Sequence, residues 1–422
     1  MPDRLRAQYE AYPYPARDPR DEAKRLLTGS PGHLDEVNHY VFGGRLGGSR
    51  GGTAPFRVLF AGGGTGDGTI MLAQQAADAG LAAEITYLDL SDASRAVAER
   101  RAEARGLTGI RFRNGSLLDL EGLGSFDYID CCGVLHHLED PAAGLRSLLS
   151  ALAPGGGIGL MVYGTFGRTG VYPLQDALRT LADGLPDPER IDLAKRLLKT
   201  LPPTNWLKRN PFIGDHQESD AGLYDLLLHS RDRAYTVPEL AELASGCGLA
   251  ITAFIEPARY DPARYIADPR VRRRLEGLDT VARAALAEQL SGSMAKHVCY
   301  LVRPEDAADA VAAPGDLDMV PVLRDFDGAA IARGLKPGAG LRADLGGMPV
   351  NLPMPRLAGP LLARIDGRTS VGKLYEALGK VERGLTISAF LAQFADLYTV
   401  LNGMNKLLLR RQQGAAQDVQ DY

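Results

Sequence analysis

The sequence contains few cysteines and no long apolar run. Its 422 residues include four cysteines, Cys131, Cys132, Cys247 and Cys299, which show neither the paired spacing of a metal site nor a dense disulfide framework. We therefore expect free thiols, a reducing compartment and no bound metal. The N-terminus lacks the apolar segment of a signal peptide, and no window approaches the ~18 uninterrupted apolar residues of a membrane span. These absences predict a cytoplasmic protein that does not act in a membrane.

The sequence also lacks an excess of positive charge. Lys and Arg total 48 against 52 Asp and Glu, which gives a net charge of −4. This balance argues against a protein whose main task is to bind the phosphates of a nucleic acid. With 45% hydrophobic and 24% charged residues the composition is that of a globular protein, and the length suggests roughly two to three domains.

Composition and hydrophobic pattern divide the chain into an N-terminal segment, a region of alternating strands and helices, a linker, a compact C-terminal unit and a loose tail. These parts span residues 1–50, 51–303, 304–316, 317–411 and 412–422. Strands that alternate with helices imply parallel βαβ units, hence an α/β fold with a doubly wound, mostly parallel sheet. Residues 165–235 interrupt the alternation, and we expect them to form a helical insertion over the carboxyl edge of the sheet.

The C-terminal unit has its own order of elements. A hairpin around Gly346 and Gly347 precedes three helices and a last strand, KLLLRR. This order resembles a winged-helix module, a comparison that rests on element order alone. Because the local charges are mixed, we favour a role in homodimer formation or in recognition of a peptide partner over DNA binding. The linker before it is rich in Ala, Asp and Pro and has little to bury.

A glycine-rich turn, AGGGTGDG, follows the first strand of the alternating region. Ligands of open α/β sheets bind beyond the carboxyl ends of the strands, and Gly62, Gly64 and Gly66 allow the chain to turn sharply there without a Cβ in the way. The G-x-G-x-G spacing differs from the G-x-G-x-x-G of dinucleotide sites, and the carboxylate of Asp67 would repel a pyrophosphate. A cationic or zwitterionic ligand suits the turn better. The alternative is that the glycines serve close packing of helix on strand.

Asp89 closes the second strand in TYLDLS. A carboxylate at this place can accept hydrogen bonds from both hydroxyls of a ribose, as in nucleoside cofactor sites. Alternatively it caps the next helix, a role for which Ser91 competes.

Five motifs in order resemble those of the class I S-adenosylmethionine (SAM)-dependent methyltransferases. They are VLFAGGGTGDG, YLDLS, RNGSLLDL, FDYIDCCGVLHHLEDP and LAPGGGIGLMVYG, and they cover about residues 56–164. The resemblance implies SAM as cofactor and a seven-stranded Rossmann-like sheet, completed by the later strands AITAFIEP and KHVCYLVR as an antiparallel edge pair. The Tyr-Pro-Tyr-Pro run from Tyr12 to Pro15 also resembles the opening of bacterial methyltransferases that carry a further regulatory or winged-helix module.

The resemblance assigns a contact to each part of SAM, position by position. It implies that Gly62, Gly64 and Gly66 contact the methionine part and that Asp89 binds the ribose. Leu90, Ser116 and Leu117 would contact the adenine, and Cys132 and Gly133 would flank the sulfonium. Two positions depart from the family's pattern. Phe60 stands where the family often has an acid that contacts the methionine amino group, for which Asp67 could substitute. Ser116 stands where an aspartate often meets the adenine amino group, and a hydroxyl accepts more weakly.

Candidate catalytic residues lie in two places. His136 and His137 follow the fourth strand, and we expect one of them to face the cleft while the other packs beneath the next helix. His137 is our candidate for a general base, which is needed only if the acceptor must lose a proton; the alternative is that it merely orders the turn. Asp225 and His229 are four residues apart, so on a helix the carboxylate could orient the imidazole. A surface pair without function is equally consistent.

The N-terminal segment contains Tyr9, Tyr12 and Tyr14 in a chain with only 7% aromatic residues. Tyrosines in a lid over SAM would exclude water and form cation–π contacts with the sulfonium. A contact between subunits of a dimer is the alternative.

Together these features predict a methyltransferase that acts on a small-molecule or a peptide or protein acceptor. Residues 131–134 read Cys-Cys-Gly-Val instead of the Asn/Asp-Pro-Pro-Tyr of enzymes that methylate amino groups of bases, which argues against a DNA substrate. The alternative is a SAM-binding regulatory protein whose C-terminal module engages a partner. A nicotinamide dehydrogenase is a third hypothesis, which predicts NAD binding that tolerates Asp67→Ala.

Overall fold

A seven-stranded sheet forms the centre of the computed structural model, which describes residues 2–46, 54–336 and 338–411. The strands are β1 Phe56–Ala61, β2 Ala83–Asp89, β3 Ile110–Asn114, β4 Phe126–Cys132, β5 Leu152–Tyr163, β6 Ala250–Phe254 and β7 Lys296–Val302. They lie in the order β3-β2-β1-β4-β5-β7-β6, and only β7 runs antiparallel to its neighbours. The predicted doubly wound α/β fold is confirmed. The predicted tail at 412–422 lies outside the described residues.

Helices cover both faces of this sheet. In chain order they are α1 Pro2–Ala11, α2 Leu34–Tyr40, α3 Asp67–Asp78, α4 Asp92–Ala104, α5 Pro141–Ser150, α6 Val171–Leu181, α7 Asp187–Thr200, α8 Asp215–Glu218, α9 Asp220–Leu223, α10 Val237–Gly246, α11 Pro269–Arg272 and α12 Thr280–Ser291. Successive side chains of β1 pack into the hydrophobic cores on opposite faces of the sheet, because the side chains of a strand alternate between its two faces. Leu59 packs with the residues under α5 and α10, whereas Val58 and Phe60 pack with those of α2 and α3. Among the described residues, no helix combines the length and apolar content that crossing a membrane requires.

The predicted insertion at 165–235 is helical. It comprises α6 to α9 and one π-helical turn, Tyr224–Leu228, which share a core of their own. Gly164 and Tyr235 form a bridge where the chain leaves and re-enters the sheet, so the insertion starts and ends at the carboxyl edge of β5. The insertion therefore stands beside the edge at which a cofactor is expected.

Two segments are more ordered than their composition predicts. The expected linker at 304–316 contains a short helix, α13 Ala307–Ala310, and buries Ala310 and Ala312. Their small side chains let this segment lie close to residues 38–45, to which it is hydrogen-bonded by the Ala312 N–H and the carbonyl of His39. The sequence reading also missed α1, whose residues have a polar composition and lie against α4.

The C-terminal unit contains two small antiparallel sheets. Its elements are β8 Met319–Leu323, α14 Gly328–Gly334, β9 Gly340–Asp344, β10 Pro349–Pro353, α15 Ala358–Leu362, α16 Val371–Gly379, α17 Ile387–Gly403 and β11 Leu407–Arg411. The hairpin β9–β10 turns at Gly346 and Gly347 as predicted, and β11 pairs with β8, which the sequence did not reveal. The winged-helix interpretation stays a prediction.

Glu36 on α2 joins the C-terminal unit to the central sheet. Its side chain is fully buried and forms an ion pair with Arg324, while its carboxylate also accepts hydrogen bonds from Tyr300 at 2.8 Å and from Asn405 at 2.7 Å. Ser30 donates a third hydrogen bond at 2.6 Å. Because Tyr300 belongs to β7 and Arg324 and Asn405 to the C-terminal unit, one carboxylate ties the two parts together.

We expect Glu36→Gln to lower the free energy of unfolding by about 3 kcal/mol, because Arg324 would lose its fully buried counter-charge and keep only the more exposed carboxylate of Asp325, 3.1 Å away. Urea denaturation followed by circular dichroism measures the change. Glu84→Gln removes the partner of Arg111 in an exposed pair and should shift the free energy by less than about 0.5 kcal/mol. Equal effects of the two substitutions would show that the Glu36 ion pair does not hold the two parts together.

Candidate active site

The glycine-rich turn between β1 and α3 is packed against two other elements. Gly62 has φ of +86°, and a Cβ there would lie 2.3 Å from Cγ2 of Val134. Gly66 has φ of +99°, and a Cβ there would lie 2.9 Å from Cβ of Ala98 on α4. These two glycines thus serve the close approach of the turn to its neighbours. At Gly64 the nearest atom is the carbonyl oxygen of Tyr14, 3.1 Å from such a Cβ, so Gly64 faces the N-terminal segment.

Asp89, at the end of β2, fixes the turn and retains acceptor capacity. One carboxylate oxygen accepts a hydrogen bond from the Gly64 N–H at 2.8 Å, and the other accepts from the Ser91 N–H at 2.9 Å. Burial raises the pKa of Asp89, against the opposing effect of these N–H donors. Each oxygen has a second lone pair, so the group can still accept from ligand hydroxyls. The capping role that was the alternative for Asp89 belongs to Ser91, whose Oγ accepts from the Ser94 N–H.

The remaining positions implied for the cofactor lie around the same edge. Leu90 is half-buried beside Asp89, and the hydroxyl of Ser116 accepts a hydrogen bond from the Leu118 N–H at 3.1 Å. Leu117 is 6% exposed and belongs to the core under α5. Its side chain is therefore directed away from the edge, and only its backbone is left for a contact with adenine.

The end of β4 completes this edge. Cys132 is exposed, and Gly133 follows with φ of +77°. The Gly133 N–H donates to the carbonyl of Met161 on β5 at 3.1 Å. These two residues therefore stand at the end of the strand next to the glycine turn, and their contact with the sulfonium stays a prediction.

Asp67 is not a free carboxylate. Arg17 binds it through Nε and Nη2, at 2.9 Å and 2.7 Å, and Nη1 of Arg101 lies 2.6 Å away. Arg101 is 1% exposed and also binds Glu22 and the carbonyl of Thr65. Two guanidinium groups thus neutralise the negative charge of Asp67, which we expected to repel a pyrophosphate. The same two groups would repel an ammonium group brought to Asp67.

The N-terminal segment, residues 2–17, lies over the turn. Thr65 donates to the carbonyl of Pro15 at 2.7 Å, and Ser91 donates to the carbonyl of Tyr9 at 3.1 Å. The carboxylate of Glu10 accepts from the first N–H groups of α4, at Asp92 and Ala93. The segment therefore covers both the turn and the start of α4.

Beyond this segment, His137 and His229 stack on each other. Their ring centroids are 3.9 Å apart with an angle of 22° between the planes. The backbone of Arg231 contacts both rings: its carbonyl lies 2.9 Å from Nδ1 of His137, and its N–H donates to Nδ1 of His229 at 3.0 Å. His136 is fully buried against the ring of Tyr163, whereas His137 keeps a small exposed fraction of 6%.

Asp225 and His229 are brought together in a different way from that predicted. Asp225 lies in the π-helical turn, and His229 follows its end with extended backbone angles, so the two do not share a regular helical face. The hydroxyl of Tyr9 connects them, at 3.1 Å from Asp225 and 3.4 Å from Nε2 of His229. Tyr163 donates to the other oxygen of Asp225 at 3.0 Å. Burial raises the pKa of Asp225.

The sequence reading missed Tyr163, Arg168 and Asp232. The guanidinium of Arg168 lies 3.6 Å from the centre of the Tyr163 ring and forms a buried ion pair with Asp232 at 2.9 Å. Tyr163 is the last residue of β5 and lies at the carboxyl edge of the sheet, and this position could have identified it as a candidate site residue. Arg168 and Asp232 stand outside any motif and are far apart in the chain, so nothing in the sequence brings them together.

Comparisons with known proteins agree with this geometry. A family model described as a methyltransferase domain matches residues 59–158, which contain the glycine turn, Asp89 and His137. The chain contains a class I SAM-dependent methyltransferase domain. SAM is therefore its cofactor, and its reaction is methyl transfer to an acceptor.

Similar proteins include an uncharacterised protein from a Synechococcus strain, 32% identical over 319 residues, which are 72% of this chain and 73% of that protein. Demethylmenaquinone methyltransferase from Thermus thermophilus is 36% identical over 104 residues, 24% of this chain and 45% of that enzyme. The structure of PKMT2 from Rickettsia typhi has a TM-score of 0.60 at 15% identity, with 91% of this chain and 77% of that one covered. At 15% sequence identity, this structural similarity shows that the two proteins share a fold over most of this chain.

The residues at the edge of the sheet fit SAM. Asp89 offers lone pairs for ribose hydroxyls, and the Gly64 N–H holds that carboxylate in place. The end of β4, with Gly133 and the exposed Cys132, adjoins the turn on the side of Val134.

We expect Asp89→Ala to weaken SAM binding by at least about tenfold, because hydrogen bonds to a charged acceptor contribute about 1.5–3 kcal/mol each. Isothermal titration with SAM measures the affinity, and circular dichroism should show the fold intact. Asp78→Ala removes an exposed carboxylate at the far end of α3 and should leave the affinity unchanged. Unchanged affinity in Asp89→Ala would place the ribose elsewhere.

Proposed function

We propose that this methyltransferase acts on a nucleophile that carries a proton, on a small molecule or a peptide, with His137 as the general base. The hydrogen bonding of the His137 ring carries the proposal. Its Nδ1 faces the carbonyl oxygen of Arg231, which can only accept, so Nδ1 holds the proton. Nε2 then has a lone pair, and it has no hydrogen-bond partner among the described residues. An imidazole held in this tautomer can accept a proton from the acceptor.

Asp225 supports this role by its position. The ligand atoms of His137, Asp225 and His229 all lie within 4.8 Å of one another. A carboxylate at that distance stabilises the imidazolium that forms when His137 takes a proton. The hydroxyls of Tyr9 and Tyr163 fix the carboxylate by one hydrogen bond to each oxygen. Asp225 is thus a positioning and charge-stabilising group, and His229 packs against the base.

Tyr9 links the two halves of the site. Its carbonyl accepts from Ser91, beside the proposed ribose site, and its hydroxyl donates to Asp225 on the acceptor side. This placement supports the lid in preference to the dimer contact for the N-terminal segment. A covered site would exclude water and hold the acceptor in line with the methyl group, which is where much of the acceleration in such displacements originates. Bound SAM supplies the electrophilic methyl group.

The same three side chains have the composition of a metal site, since two imidazoles and a carboxylate can hold a cation. The hydrogen bonds of these side chains favour a general base over a metal site. Nδ1 of His229 accepts from the Arg231 N–H, and each oxygen of Asp225 accepts from a tyrosine. We therefore keep the prediction that the reaction uses no metal.

We expect His137→Asn to lower kcat by about 10²–10⁴-fold with the affinity for SAM unchanged, because asparagine can still donate to the Arg231 carbonyl but cannot act as the base. Transfer of radiolabelled methyl groups into fractionated cell extract, followed by purification of the labelled acceptor, supplies the assay. His216→Ala, which removes a histidine of α8, should leave kcat unchanged.

EDTA should not alter the rate of the wild-type enzyme. If the His137→Asn variant reacted as fast as the wild type, His137 would not be the general base. Tight SAM binding with no labelled product in any extract would favour the regulatory alternative instead.

A further inference from the structure

The methionine part of SAM carries an α-ammonium group, and neither residue considered from the sequence can serve as its counter-ion. Phe60 stands where related enzymes often have an acid, and it is 2% exposed in the core beneath α3. Asp67, the expected substitute, is bound by Arg17 and Arg101. An ammonium at Asp67 would meet two guanidinium groups. The position of the counter-ion is therefore open.

Asp130 on β4 is the direct neighbour of Phe60. The strands β1 and β4 are parallel, and their register pairs Phe60 with Asp130. Side chains of paired residues point to the same face of a sheet, and adjacent strands are about 4.8 Å apart. Consistent with this, Phe60 and Tyr128 share one hydrophobic cluster, and Asp130 follows Tyr128 by two residues. Asp130 thus presents a carboxylate one strand away from the position where the acid is usual.

Asp130 is buried without a charged partner in the part of the chain that the structure describes. It is 5% exposed and forms no ion pair within the described residues. The hydroxyl of Tyr128 lies 3.4 Å from Oδ2, and the N–H of Cys132 donates to the carboxylate. A buried carboxylate without a counter-charge is costly for a fold, and burial raises the pKa of Asp130 to about 7. An ammonium beside it would remove that cost.

The chain also comes close to this carboxylate from the N-terminal side. Gly32 has φ of +96°, and a Cβ there would lie 2.8 Å from Oδ2 of Asp130. The loop before α2 therefore encloses the carboxylate on one side. On the other side, Cys132 lies two residues further along the same face of β4 and is exposed. Asp130 is thus covered by the loop before α2 on one side, and on the other side it adjoins the edge of the sheet where the cofactor is proposed to bind.

We propose that Asp130 is the counter-ion for the α-ammonium group of SAM. The proposal rests on the binding of SAM at the edge formed by the glycine turn and Cys132. It gives a carboxylate of β4 the task that related enzymes often give to the end of β1, and it leaves Asp67 to the arginine network that fixes the turn.

Two ligands separate this role from a structural one. S-Adenosylhomocysteine contains the amino acid part, whereas 5′-methylthioadenosine contains the nucleoside and a methylthio group but no amino acid. We expect Asp130→Asn to weaken binding of S-adenosylhomocysteine by about tenfold or more, since a charge-assisted hydrogen bond is lost, and to leave 5′-methylthioadenosine unaffected. Isothermal titration measures both affinities. Asp78→Asn, at the far end of α3, is the matched control and should change neither.

Equal affinities of wild type and Asp130→Asn for S-adenosylhomocysteine would overturn the proposal, and so would an equal loss for both ligands. A selective loss in Asp67→Asn in place of Asp130→Asn would also overturn it. Asp130→Ala, with a side chain small enough for the space beside Gly32, provides the same comparison if the asparagine variant does not fold. If wild type binds neither ligand, the cofactor assignment itself fails, which is a different result from any of these.

Discussion

The guanidinium of Arg101 is the interaction on which the cofactor edge depends. It is almost fully buried on α4 and binds Glu22 in the connection between α1 and α2, the carbonyl of Thr65 in the glycine turn and the carboxylate of Asp67 at the start of α3. Three parts of the chain are thereby held in one arrangement. A buried cation of this kind requires such partners, because an unpaired one would be strongly destabilising. The turn that contacts the cofactor is fixed from behind by charge as well as by packing.

This network also explains how the acidic residues are divided between tasks. Asp67 pairs with two arginines, and Asp89 holds the turn and offers lone pairs at the proposed ribose position. Asp130 forms no ion pair with any residue that the structure describes. On the acceptor side Asp225 receives two tyrosine hydroxyls. Each carboxylate has a distinct set of neighbours, and the neighbours indicate its role better than the residue type does.

The sequence predicted the features that depend on local spacing. The doubly wound, mostly parallel sheet, the helical insertion, the hairpin at Gly346 and the placement of the glycine turn beside Asp89 follow from periodicity and from the motif series. What it could not predict depends on pairing between distant residues. The neighbourhood of Asp130 and Phe60 follows from the register of two strands, and the link from Asp225 to His229 runs through Tyr9, more than 200 residues away. A π-helical turn also changes the relation of residues four apart, which no spacing rule anticipates.

We propose that one edge of the sheet holds SAM beneath the N-terminal segment, with His137 on the side of the acceptor. A crystal structure of the enzyme with S-adenosylhomocysteine would show where each part of the ligand binds. We expect the ribose hydroxyls on Asp89, the sulfur near Cys132 and Gly133, and the segment from Tyr9 to Arg17 closed over the ligand. A ribose bound away from Asp89, or a ligand on the side of the sheet edge remote from His137, would contradict this proposal.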